Sequence, residues 1–101
     1  MTTAATTQDV TAVSSFRQLL AAEVRAELAR QQVTGRRLAR LVGESPAWAA
    51  RRLAGATAID ADDLERIAHA IGVPISSLLM EAARRADSES ARPVTGADTR
   101  R

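Results

Sequence analysis

An all-α fold, a compact bundle of five short helices with a helix-turn-helix at the second and third, is what this 101-residue sequence predicts. Three observations carry the prediction. Apolar residues recur at three- and four-residue steps in separate short runs, and none alternates with the two-residue period of a strand. Thr34, Ser45 and Asp60 each stand just ahead of such a run, where a side-chain oxygen accepts from the free N–H groups of a first turn. Gly43, Gly55 and Gly72 stand just after, where helices take a left-handed residue.

The elements follow in order. Residues 1–12 are rich in Thr and Ala without an apolar period, and read as a disordered arm. From residue 13 or 15 Phe16, Leu19, Leu20, Val24 and Leu28 form one apolar face, with Ser14 or Ser15 as cap. Arg17, Glu23, Arg25, Glu27 and Arg30 take the other faces of this first helix, and Val33 plugs the link that follows it. The second helix covers about 34–42, with Leu38, Leu41 and Val42 on one face. Gly43 turns the chain, and Ser45-Pro46 opens the third with Ser as cap and Pro at the first helical position. Ala39 and Ala49 lie in the seam between these two helices and let their backbones approach closely.

After an irregular link, Asp60 caps a fourth helix, and Asp62, Asp63 and Glu65 suit the positive end of its dipole. Leu64, Ile67, Ala68 and Ile71 are its buried stripe. A fifth helix starts near Ile75, with Leu78, Leu79 and Ala82 apolar, and fades near Arg85. Residues 86–101 carry turn formers and mixed charges and read as a disordered tail, which leaves 13–85 as the single folded domain.

Composition narrows the function. Hydrophobic residues make up 46% of the chain, but with one Phe, one Trp and no Tyr the core must be small and built from Leu, Ile, Val and Ala. The absence of Cys excludes a disulfide framework, a thiolate zinc site and a cysteine nucleophile. No apolar run approaches the roughly 18 residues of a membrane span, and no signal pattern opens the chain. The expectation is a cytoplasmic protein.

All 14 basic residues are arginines, and five of them (Arg36, Arg37, Arg40, Arg51 and Arg52) fall within 34–55 against the single acid Glu44. That stretch is more basic than the chain as a whole, whose formal charge is +2. Arg36 and Arg40 repel at helical i,i+4 spacing, at a cost of about 0.2–0.5 kcal/mol, and a polyanion across the pair would turn that repulsion into binding. A solvated basic face is the plain alternative. The turn and the second of the two helices favour nucleic acid.

The run from Val33 through Leu38-Ala39, Gly43, Ser45 and Gly55, followed by LERIAHAIGVPISSLL at 64–79, resembles the lambda-repressor-like, Cro/repressor-type helix-turn-helix family, also called the XRE family. The resemblance covers about residues 16–83. WAARRLAG at 48–55 is also similar to recognition helices of repressors from actinobacteria and their phages. Two positions depart from the family pattern. Leu28 and Leu53 replace an Arg–Glu pair, a change that packed hydrophobes tolerate. Glu44 replaces an apolar residue just after the turn, where it would soften the turn or repel a phosphate.

The resemblance implies a recognition helix in the major groove. With Ala49 and Leu53 toward the core, Ala47, Arg51 and Ala54 face outward, and Ser45, Pro46, Ala47 and Arg51 are the groove-facing positions. Arg51 is the candidate base reader, because Arg paired with both acceptors of guanine is the commonest specific contact. Pro46 and Ala47 offer only apolar contact. Gly35 and its neighbours Thr34, Arg36 and Arg37 are the expected phosphate-facing positions. Trp48 is expected at the rim, against sugar-phosphate or the preceding helix. Arg52 is left open between a phosphate clamp and an ion pair.

Elsewhere the chemistry is plain. His69 has no second ligand at metal spacing. Asp60, Asp62 and Asp63 lack the Gly and terminal Glu of a calcium loop. No catalytic constellation, cofactor motif or small-molecule site emerges, so no enzyme is expected. The implied function is a sequence-specific regulator of transcription that binds double-stranded operator DNA, a phage immunity repressor or a Cro-like protein. It would be a monomer or a weak, DNA-assisted homodimer through Ile75 and Met80, with Leu78 and Leu79 closing the core. The competing class is an antitoxin-like or anti-repressor interaction module on the same fold.

Overall fold

Ser15 opens the first helix through a reciprocal cap. Its hydroxyl accepts from Gln18 N at 3.2 Å, and its own N–H donates to the Gln18 side chain at 3.3 Å. The computed structural model describes residues 15–90, so the arm expected over 1–12 and residues 91–101 of the tail lie outside the described residues. Helix α1 spans Phe16–Gln31 and turns Leu19, Leu20, Val24 and Leu28 inward. It ends on Gln32 at φ 59°, where Val33 N–H reaches back to Leu28 O at 2.9 Å. That wrap usually falls to glycine, because a side chain in the left-handed region strains against its own carbonyl.

Helices α2 (Gly35–Val42) and α3 (Pro46–Leu53) are each eight residues long. Thr34 caps the first by accepting from Arg37 N at 3.0 Å, and Ser45 caps the second by accepting from Trp48 N at 3.1 Å. Between them Gly43 lies at φ 77°, with Gly43 N–H on Arg40 O and Glu44 N–H on Ala39 O at 2.8 Å. This paired closure reverses the chain within three residues. Ala39 and Ala49 are buried at the seam, as the small residues there require.

Helix α4 spans Ala61–Ile71 behind the Asp60 cap, and α5 spans Ile75–Ser90. Helix α1 packs along α5 and also touches α3; α2 packs on α3 and α4, and α4 packs on α5. Val24, Leu38 and Ile67 are the largest fully buried side chains of the core cluster. Gln31 ties the far end: its side-chain amide donates to Glu27 and to the Ile71 carbonyl, both at 2.9 Å. That bond, and then Arg30, hold the Glu27 carboxyl below its usual range. No helix among the described residues is long and apolar enough to cross a membrane.

Five features differ from the sequence expectation. Leu41 is 48% exposed, because Leu38 and Val42, one turn apart, already fill the inward stripe of so short a helix. Phe16, at the first position of α1, is 43% exposed. Leu79 is 37% exposed instead of closing the core, a task left to Leu78 and Ala82. Glu23 is buried at 4% where α5 lies over α1, with its carboxylate 3.5 Å from Arg30 and 3.3 Å from Arg85. Finally, α5 continues to Ser90, and Ala86, assigned to the tail, packs against the core.

These burials separate two leucines three residues apart. Leu38→Ala should cost about 2–5 kcal/mol, the range for a buried leucine. Leu41→Ala should stay within about 0.5 kcal/mol, as at an ordinary surface position. Urea unfolding of both variants checks the contrast.

Candidate nucleic-acid interface

The side of α3 away from the core carries Pro46, Ala47, Ala50, Arg51 and Ala54, all exposed, with the Ser45 cap exposed at its start. Its inward side is Ala49, fully buried, and Leu53, half-buried. The backbone N–H of Trp48 is taken by Ser45, which leaves Pro46 and Ala47 to lead the helix outward. On α2 Thr34 is an exposed cap, and Arg36, Arg37 and Arg40 are exposed. Gly35 is half-buried. A Cβ added there would lie 3.3 Å from Leu53 Cδ1, so this glycine lets the start of α2 close on the end of α3.

The arginines of the described residues divide sharply. Arg17 donates to Ala56 O at 3.4 Å, and Arg25 donates to Leu53 O. Both therefore neutralise carbonyls at and just beyond the end of α3, where a helix favours cations. Arg30 and Arg85 serve Glu23, Arg84 pairs with Glu81, and Arg66 pairs with Glu44 at 2.9 Å. Arg52 pairs with Asp63 at 3.0 Å. The guanidinium groups of Arg36, Arg37, Arg40 and Arg51 engage no acceptor among the described residues. All four belong to the helix-turn-helix.

Two expected positions need correction. Trp48, expected at the rim, is buried at 7%. It points toward α4, where the Arg52 guanidinium lies 4.4 Å from its ring centroid and that of Arg66 lies 5.2 Å away. Arg52 is the ion-pair partner and not a free clamp: its side chain is 16% exposed, and it also donates to Trp48 O at 3.3 Å. Neither side chain belongs to the exposed face of α3. Glu44 is the converse case. Paired with Arg66, it presents a neutralised carboxylate beside the turn. Sequence reasoning missed the parts played by Arg17, Arg25, Asp63 and Arg66, and the only local signal among them was the spacing of Asp63 from its cap Asp60.

His69 is exposed, and no cluster of potential metal ligands exists among the described residues. Asp60 and Asp63 instead form a capping box, with Asp63 N–H on Asp60 Oδ1 at 2.7 Å.

Five helices among the described residues, with a tight turn between two of them and a set of free arginines on that pair, define an all-α helix-turn-helix domain. Residues 7–99 match the model of the BetR domain, and the chain belongs to the BetR-domain family. It is similar to crystal structures of the clp gene regulator ClgR from Corynebacterium glutamicum. One is 30% identical, covers 70% of this chain and 92% of its own, and superposes with a TM-score of 0.67. A second is 28% identical, covers 76% and 82%, and superposes with a TM-score of 0.70. No curated protein matches the chain.

The neighbours Arg51 and Arg52 should respond oppositely in stability. Arg52→Ala leaves Asp63 and the Trp48 ring with only the more distant Arg66 and should cost about 1–3 kcal/mol. Arg51→Ala removes an exposed side chain and should change stability by less than about 0.5 kcal/mol. Thermal or urea unfolding without DNA measures both.

Proposed function

We propose that this chain is a transcription regulator of the Cro/repressor type that binds double-stranded DNA sequence-specifically and represses by occupying its operator. One observation carries the reading: the arginines without an acceptor among the described residues, Arg36, Arg37, Arg40 and Arg51, all lie on α2 and α3, while every other described arginine, Arg52 included, is engaged. Exposed cations left unpaired on two packed helices suit a polyanion. Helix α3 enters the major groove with Ser45, Pro46, Ala47 and Arg51 toward the bases. Arg51 reads a guanine, and Pro46 and Ala47 take thymine methyls or exclude other bases by contact. Thr34, Gly35, Arg36, Arg37 and Arg40 meet phosphates. The likeness to ClgR, a gene regulator, and the BetR-domain membership support the regulatory role.

Salt and substitution test this. With Arg36, Arg37 and Arg40 on phosphates, log K against log[salt] should fall with a slope of about −3 per subunit. Arg51→Ala should cost about 1–3 kcal/mol on the selected site and relax one base step, whereas Arg36→Ala and Arg37→Ala should weaken all duplexes alike. Mobility shifts on a site selected from a random library read both. No shift with any duplex would promote an interaction module instead.

A single recognition helix reads few bases, and two subunits on half-sites one helical turn apart would double the contact. The surface that suits a second copy is the cleft of ≈ 330 Å³ formed by Phe16, Leu20, Ile59, Leu64, Ile75 and Leu79. Phe16, Ile75 and Leu79 are each about two-fifths exposed there, and Met80 on the same helix is 69% exposed. Leu79→Arg should abolish cooperative filling of paired half-sites while single half-site binding persists. Sedimentation with and without duplex measures it. The wild type should associate weakly alone, and a tight nanomolar dimer without DNA would contradict this.

A further inference from the structure

Helix α3 has a weak apolar hold on the rest of the molecule. Of its eight residues only Trp48 and Ala49 are buried, and Ala49 is too small to resist rotation of the helix about its own axis. Beyond Trp48 in the core, Leu53 against Gly35 and Arg25 on the Leu53 carbonyl at its end, rotation is opposed by polar contacts from α4. Asp63 Oδ2 accepts from Arg52 Nε at 3.0 Å, and the same carboxylate belongs to the capping box that fixes the start of α4. Arg52 in turn covers the Trp48 ring and donates to the Trp48 carbonyl. A turn further along α4, Arg66 holds Glu44, the residue before the α3 cap, through two hydrogen bonds of 2.9 and 3.1 Å. Helix α4 therefore holds α3 both at its entry and in its middle.

We propose that Asp63 is a positioning residue for base recognition, fixing through Arg52 the rotation of α3 and with it the direction of Arg51. This rests on the DNA reading above. Arg51 and Arg52 are consecutive, so about 100° of helix separates them, and anchoring one sets the bearing of the other. Functional side chains tolerate roughly 10–20° of misalignment, and a long side chain amplifies any rotation at its tip. Phosphate contacts are more forgiving, because Arg36, Arg37 and Arg40 lie on α2, which the Asp63–Arg52 bond does not touch. Loss of this bond should therefore degrade specificity and spare general affinity.

The test uses the whole chain and three measurements on Asp63→Asn, with Arg52→Lys as a second variant that keeps the charge but not the planar stack. All are made well below the unfolding midpoint of each variant. Trp48 is the only tryptophan, so its emission reports the local arrangement without DNA. Both variants should change that emission. Both should lower affinity for the selected duplex by about tenfold, the size of one lost base contact, while binding to random duplex and its salt slope stay at wild-type values. Asp63→Glu should restore part of the preference. If Asp63→Asn alters Trp48 emission yet keeps the full ratio of selected to random binding, Asp63 has no positioning role. A parallel fall on both duplexes would make the bond merely structural and also overturn the proposal. If the wild type itself prefers no duplex, the DNA reading falls first and this proposal falls with it.

Discussion

Two eight-residue helices cannot be stable by themselves, because isolated helices shorter than about 12–15 residues are marginal in water. Everything at the candidate interface depends on how closely α2 and α3 approach. Ala39 and Ala49 remove the bulk that would hold them apart, Gly35 admits Leu53 at the other end of the seam, and Leu38 plugs the pair into the core. The turn between them consumes its own free carbonyls through Gly43 and Glu44. A bulkier seam would splay the helices and take the Ser45 cap away from the surface that α2 presents.

The same closeness leaves little apolar area for holding α3 in register, and charge makes up the difference. Arg17 and Arg25 reach from α1 to carbonyls at the end of α3, while Asp63 and Arg66 reach from α4 to its middle and its entry. Each of these contacts uses an arginine that would otherwise be available to an anion. The free cations on the helix-turn-helix are thus a remainder, defined by where the fold supplies no carboxylate or carbonyl. Glu44, which alone looked hostile to a phosphate, is part of this accounting because Arg66 neutralises it.

Where α1 and α5 begin, the core is incompletely covered. Helix α5 spends Leu78 and Ala82 on the interior and leaves Ile75 and Leu79 half-exposed beside Phe16, with Met80 exposed on the same helix. Its far half is held by Ala86 and by Arg85 on the buried Glu23 carboxylate. That contact adds to the apolar packing of α5 on α1 through Leu78 and Ala82.

The sequence by itself determined the helices, their caps and the turn, because these obey local rules. Thr34, Ser45 and Asp60 each bond within three residues, and Gly43 closes its helix with the two carbonyls behind it. It also determined that Arg36, Arg37, Arg40 and Arg51 crowd one motif. Tertiary structure alone decided which charges were spent and which apolar residues were covered. Periodicity gives the direction of a face but not its width, so Leu41, Phe16 and Leu79 fell outside a core too narrow to hold them. Trp48 joins the core cluster with Arg52 and Arg66 over its ring, and Arg52 meets Asp63 only because the loop after α3 brings the start of α4 within its reach. Pairings such as Arg66 with Glu44 and Arg85 with Glu23 join distant parts of the chain, and no local pattern encodes them. They exist because packing brings opposite charges from separate helices within reach of one another.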